Sequence, residues 1–333
     1  MAVRLIYIDV DGEATDITAV TSNYSRSDNV DALGMDFKFD QMANPIDPNF
    51  SGMEVAIGGK VVFSNNNKTV FEGIITDLNQ SGMSKRSWTA YDFAFYLNKS
   101  EEMIQYNDVS ADTAIKQLCE RQSIPVGDVC SMPTLIKKIY DGQPVSEIIR
   151  DIIKQYTDET GNKVRFEVRE NKLYVELYKD LILTAEYTPV TGEGSFDVTE
   201  YPGEFSMTAT MGDMKNKVKV VSSKEKHTQI WATAQDDEHI RQFGLLQKIE
   251  KVQDKQAAKA NQIAQKILAE NDRVRTKQTV KLFGDDSIRS GRSLVFNQPL
   301  INLVGTFLIK NCTHSYSNNN HFMVLDLEAT ANG

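Results

Sequence analysis

Two histidines separated by a polar turn, His314 and His321, come nearest in this chain to a reactive or metal-binding pattern. If Tyr316 pairs with His321 across the Asn318-Asn319 region, His314 stands on the same sheet face, diagonal to His321 at roughly 7 to 8 Å. A zinc site needs a third and usually a fourth ligand close by. Asp326 and Glu328 fall on the opposite face in this register, so the spacing favours ordinary strand histidines and no metal ligand is assigned. Asp236-Asp237-Glu238 and Asp285-Asp286 are carboxylate runs. Glycosidase chemistry needs two carboxyls across a cleft, roughly 5 to 9.5 Å apart, which sequence neighbours seldom provide. These runs read instead as solvated charges at a turn or a helix start. Gly192 and Gly194 lack the third glycine and the following helix of a dinucleotide loop, and GxSxG, HExxH and P-loop patterns are absent. Trp88 and Trp231 could stack on sugar rings, but each sits singly in a strand-like run, as core or interface anchors do. No catalytic, cofactor-binding or metal residue is therefore assigned, and no cofactor is expected.

Composition narrows the class further. A chain of 333 residues, 41% hydrophobic and 25% charged, fits two or three globular domains rather than a disordered or membrane-embedded protein. A net charge of −9 argues against general nucleic-acid binding, which needs clustered positive charge, yet allows a surface past which DNA slides. Cys119, Cys130 and Cys312 are odd in number and lack CxxC spacing, so neither a disulfide framework nor structural zinc is expected. The opening MAVRLIYIDVDG has no signal-peptide apolar region, and no stretch approaches the roughly 18 apolar residues of a membrane helix. Synthesis in a reducing compartment without secretion, and no membrane insertion, are the expectations.

The elements that would position these residues are mostly strands. Residues 281–328 carry short apolar runs punctuated by Gly-Asp, Ser-Gly and an Asn triplet, the pattern of a β-meander. Residues 53–92 repeat it: a Gly turn precedes a Val-Phe strand, and Phe lies beside Gly in the next. From Val3 to about Tyr96 roughly six or seven short strands are expected, with ANPIDPNF as a loop, which suggests a small barrel or sandwich. The period then changes. Ser110 reads as the N-cap of a helix burying Ala111, Ala114, Ile115, Leu118 and Cys119. Val145, Ile148, Ile149, Ile152, Ile153 and Tyr156 form a helical stripe that Gly161 terminates, and a hairpin follows. That stripe reads as core packing, not a ligand site. Residues 188–194 look like a boundary loop. A helix is expected between Asp254 and Asn271, with Ala257, Ala260, Ala264, Ile267 and Asn271 on a narrow face that Ile263 and Leu268 widen. The expected fold is mainly β (α+β overall): two similar small β-barrel domains, an inserted α+β domain and one long helix in the second half. The expected boundaries are 1–105, 106–180 and 181–333, with a helical excursion at about 236–271.

Taken in order, MKNKVKVV, EHIRQFGLLQKIEKV, ANQIAQKILAEN, FGDDSIRSGRSLVF and VGTFLIKNCTHSYSNNNHFMVLDLEA resemble the C-terminal half of phage tail baseplate hub proteins. This is the late-control gene D group, which includes hubs of contractile tails, prophages and phage-tail-like bacteriocins. VFEGIITDLNQ and WTAYDFAFYLNKSEEM resemble the first barrel of the same family. The resemblance implies a structural protein, not an enzyme. It would be a homotrimer whose paired barrels form a pseudo-sixfold ring between hexameric tail tube and trimeric spike, in contact with tape measure and neighbouring baseplate proteins. It would reside in the baseplate of the particle, with DNA passing its lumen unbound. A particle-associated cell-wall hydrolase is the alternative, and a surface carbohydrate-binding protein a third class. Phe307→Asp is expected to abolish folding of the second β domain by circular dichroism, and His321→Ala to leave assembly intact. Loss of trimer formation on the histidine change alone would overturn that reading of the turn.

Overall fold

Side chains of Asp36–Met42 alternate between the two faces of a sheet strand: Phe37, Phe39 and Gln41 are buried while Lys38 and Met42 are exposed. The buried polar member of this strand, Gln41, is satisfied on both sides. Its Oε1 accepts from Trp88 Nε1 at 2.9 Å and its Nε2 donates to the Met53 carbonyl at 2.7 Å. The computed structural model describes residues 2–44, 46, 53–188, 194–222, 229–252 and 254–330. Most of the predicted ANPIDPNF loop, and most of the boundary loop that includes Gly192, lie outside the described residues.

The chain divides into two compact units, residues 1–205 with 279–333, and residues 206–278. In the first unit, backbone ladders join strands in the order Ala14–Asp16, Val3–Ile8, Lys60–Asn65, Lys68–Ser81, Lys85–Tyr91, Asp36–Met42, Thr21–Asn29, Leu303–Ser317 and Asn320–Ala329. The two meanders read from the sequence are both present, as Lys60–Asn65 through Lys85–Tyr91 and as Ser293–Gln298 through Asn320–Ala329. Two-residue turns at Asn66-Asn67 and Asn318-Asn319 have positive φ throughout, which asparagine tolerates and which matches the right-handed twist of the flanking strands.

Closed barrels do not form among the described residues, contrary to the sequence expectation. Closure of the first would return Thr21–Asn29 to Val3–Ile8. Its second edge is instead taken by Leu303–Ser317, from Tyr24↔Tyr316 to Asn29↔Asn311. One continuous sheet therefore runs through both ends of the chain. Its two cores remain distinct: Leu5, Phe37, Phe39, Phe63 and Ile75 pack in one, and Val280, Leu294, Phe296, Phe307 and Leu325 in the other. Tyr316 belongs to the first of these cores, with its ring 5.0 Å from that of Phe63, although it lies on the closing strand.

The helices of the insertion follow the sequence pattern. Ala111–Arg121 buries all five predicted residues behind Ser110 at its N-cap. Val145–Thr160 buries its Ile stripe and ends at Gly161, whose φ of 77° is the left-handed cap conformation. Both helices pack with the Val164–Arg169 and Lys172–Leu177 hairpin around one core. In the second unit, Lys217–Ser222 pairs antiparallel with Ile230–Gln235 and parallel with Gln247–Val252. The helix there is shorter than predicted: Ala260–Asn271 is α-helical, and Asp254–Lys259 is a 3-10 turn. Ala260, Ala264 and Leu268 cover Val218, Val220 and Ala232, the small residues allowing close approach to the sheet.

Two substitutions test this packing. Phe63→Ala removes a fully buried ring and is expected to cost about 3–5 kcal/mol by denaturant titration. A Cβ at Gly73 would lie 2.2 Å from the Tyr91 carbonyl oxygen, a backbone atom with no rotamer to yield. Gly73→Ala is therefore expected to lower the melting temperature more than Gly203→Ala, whose nearest contact would be 3.2 Å.

Candidate functional site

The two ends of the chain meet over a buried polar cluster in the first unit. Arg26 projects inward from Thr21–Asn29 and is 2% exposed. Its Nε donates to Tyr316 Oη at 2.9 Å, and its Nη2 donates to the carbonyl and Oδ1 of Asp286 at 3.0 and 3.1 Å. Tyr316 Oη in turn donates to Asp286 Oδ1 at 2.5 Å, and Asn65 Nδ2 donates to Asp286 Oδ2 at 2.8 Å. Asp286 is thus not the solvated turn charge that its sequence context suggested. It is the counter-ion of a buried arginine, and no local pattern could show it because Arg26 is 260 residues away.

His314 and His321 complete the cluster. Tyr316 does pair with His321, as the sequence register requires, but the rings lean together across the diagonal. Nδ1 of His314 and Nε2 of His321 are 2.9 Å apart, well inside the spacing expected from Cβ positions alone. Nε2 of His314 also faces the Ile288 carbonyl at 2.9 Å and Cys312 Sγ at 3.1 Å. Burial and the Arg26 charge hold His314 well below the usual histidine range, and burial lowers His321 to about 4. Both rings are therefore neutral at physiological pH. His321 is 8% exposed and packs on Gly284, so His321→Ala carries a folding cost that strand register alone did not reveal.

A second buried node anchors the α+β insertion. Arg292 forms a bidentate pair with Glu167 at 2.5 and 2.6 Å, both side chains being 3% exposed. Arg165 donates to the Val30 carbonyl at 2.8 Å and to Ser290 Oγ at 3.1 Å, while Asp28 accepts from the backbone and hydroxyl of Ser290. Gly291, at φ +81°, is required where it stands, because a Cβ would lie 2.8 Å from the Arg165 side chain. Between the nodes lies a cavity of about 460 Å³ bordered by Arg26, Asp92, Arg169, Asp286, Arg289 and Arg292. Glu72 and Glu170 also line it, while its two aspartates are hydrogen-bonded within the fold. Asp92 accepts from the Met35 and Ala94 amides, and Asp286 holds Arg26, Tyr316 and Asn65.

The other sequence candidates occupy ordinary structural positions. Asp236 caps Asp237–Phe243 by accepting from the Glu238 and His239 amides, as a helix-start charge does. His239 Nδ1 lies 2.8 Å from Asp272 Oδ1, a contact that sequence spacing missed. Trp88 is buried against Gln41, and Trp231 packs on the core of the second unit. Cys119, Cys130 and Cys312 are free thiols, and burial pushes Cys119 up to about 12. Among the described residues no helix is long and apolar enough to cross a membrane.

The Glu167 pair generates a pH prediction. Burial alone would raise this carboxyl, but Arg289, Arg292 and Arg165 outweigh it and hold it at about 2, against 4.5 ordinarily. Its stabilisation is complete above the unfolded value and is lost as the pH falls from about 4.5 to about 2, a change on the order of 3 kcal/mol. Glu167→Gln is expected to flatten that part of the stability-versus-pH curve, measured by urea titration at stepped pH.

Comparison with known proteins places this arrangement. A family model described as YQBQ-like matches residues 23–328. The phage-like element PBSX protein XkdQ of Bacillus subtilis (strain 168) is 24% identical over 278 residues, 82% of each chain. The 43 kDa tail protein of prophage MuSo2 from Shewanella oneidensis superposes with a TM-score of 0.69 at 12% identity, over 99% of this chain and 98% of that one. An E. coli protein, c3393, described as a type VI secretion component similar to the phage T4 tail proteins gp27 and gp5, gives 0.52 at 12% identity, over 93% and 74%. The resemblance to phage tail proteins, read from ordered segments along nearly the whole chain, agrees with these matches. By the extent of the family match, this chain belongs to the YQBQ-like family, and its fold is the one found in phage tail proteins.

Proposed function

We propose that this chain is a structural baseplate component of a phage tail or phage-tail-like particle, acting as the central hub between tube and spike. The observation that carries the reading is the near end-to-end match to a prophage tail protein, in a chain whose buried carboxylates serve as counter-ions and caps. The two similar meanders supply a physical basis for the hub. Three copies of a chain with two such modules offer six nearly equivalent surfaces to a hexameric tube, while keeping true threefold symmetry for a trimeric spike. Tape measure and neighbouring baseplate proteins are the further partners. The net charge of −9 suits a lumen along which DNA moves without adhering. No enzymatic role is proposed, because the near end-to-end fold match is to a prophage tail protein.

Mass photometry and sedimentation of the chain with the spike and tube proteins of its own particle test this. The expected result is a trimer, formed alone or on addition of spike. A monomer indifferent to both proteins would count decisively against the hub. A peptidoglycan zymogram is expected to remain uncleared.

A further inference from the structure

We propose that Asp286, His314 and His321 form a site for a divalent transition-metal ion of the zinc class, tying the loop that carries Asp286 to the closing hairpin. One ligand atom from each of the three residues lies within 4.8 Å of the others. Nδ1 of His314 and Nε2 of His321 are 2.9 Å apart, and His321 Nε2 is 3.7 Å from Asp286 Oδ1. Donors held tetrahedrally at about 2.0–2.1 Å from a zinc ion stand roughly 3.3 Å from one another, so these two pairs lie within about 0.4 Å of that spacing, and the third pair, within 4.8 Å, closes on the ion by a side-chain adjustment.

The surroundings have what a metal-binding triad needs around it. Nε2 of His314 donates to the Ile288 carbonyl, which fixes the tautomer and leaves the Nδ1 lone pair facing His321. Asp286 is oriented by Tyr316 and Asn65. Gly284 lies directly against the His321 ring, where a Cβ would come within 2.2 Å, and so permits the ring to sit with Nε2 inward. Among the described residues Asn65 Oδ1 is buried without a hydrogen-bond partner, an unsatisfied oxygen on the side chain that braces Asp286. An open cleft of about 560 Å³, bordered by Asn65, Lys68, Gly284, Asp285 and His321, gives an ion and a water ligand access from solvent.

Binding requires no net proton release. In the metal-free protein the His321 Nε2 proton is shared with His314 Nδ1. On binding, that proton moves to Nδ1 of His321 and the ion takes its place. Two imidazoles and one carboxylate select zinc, nickel or copper over magnesium or calcium, which prefer all-oxygen sites. Arg26, 3.1 Å from Asp286, opposes the added charge, and the expected affinity is accordingly micromolar rather than nanomolar.

The test uses the full chain, stripped with chelator and titrated with ZnCl2 and with CoCl2. Calorimetry is expected to give one zinc site per chain that depends on His321, with a melting temperature raised about 5 °C at a hundredfold excess over Kd. Cobalt is expected to show the visible absorption of a low-symmetry four-coordinate site. His321→Gln is expected to abolish binding and His239→Gln to retain it, which separates this site from the Asp236, His239 and Asp272 cluster. Histidine ring nitrogen resonances of the unmutated protein give a readout that does not depend on a variant folding: zinc is expected to shift those of His314 and His321. No zinc binding by the unmutated chain, or shifts confined to other histidines, would overturn the proposal.

Discussion

A single strand, Leu303–Ser317, needs partners on both of its edges, and most of the first unit depends on how it finds them. One edge pairs with Asn320–Ala329, and the other is divided. Its first part takes Ser293–Gln298, and its second part takes Thr21–Asn29, from the opposite end of the chain. An unpaired edge of that length would be a template for aggregation. Sharing it between a local neighbour and a distant one merges two modules into a continuous sheet, and leaves Thr21–Asn29 with no edge on which to close its own barrel.

Joining two modules through a strand brings polar side chains into the seam, and each is matched there. Arg26 is accompanied by Asp286, Tyr316 and the Val70 carbonyl. Arg292 is accompanied by Glu167, which brings the hairpin of the α+β insertion against residues 289–292. Buried ion pairs of this kind add little net stability compared with an apolar core, because desolvation offsets much of their attraction. They are exacting about arrangement, however, since loss of one partner strands a charge. They therefore hold the insertion and both modules in one relation rather than adding net stability.

This explains why roles read along the chain changed where the folded structure supplied distant partners. Asp285-Asp286, Asp236-Asp237-Glu238 and the histidine pair were each judged by their sequence neighbours. Asp236 behaved accordingly, because a helix cap is a local device whose partners lie two and three residues away. Asp286 did not, because its partners come from positions 26, 65 and 316. His314 and His321 were placed on the right face and in the right register, yet their contact is set by the side-chain tilt that Gly284 and the Ile288 carbonyl allow.

The sequence alone determined the periodic elements: the Ile149 stripe, the Ser110 cap, the Gly161 stop, the Asn318-Asn319 turn and the repetition of a meander. Periodicity and capping act within a few residues, so they are written locally and survive folding unchanged. It also carried enough ordered strand patterns to show kinship with phage tail proteins. Tertiary structure decided which edge each strand would share, whether a barrel would close, and which carboxylate would be a counter-ion. Those outcomes depend on competition between distant segments for the same backbone hydrogen bonds and the same buried charge. Arg26 and Asp286 are unremarkable in isolation, and only burial in one another's company makes either of them decisive.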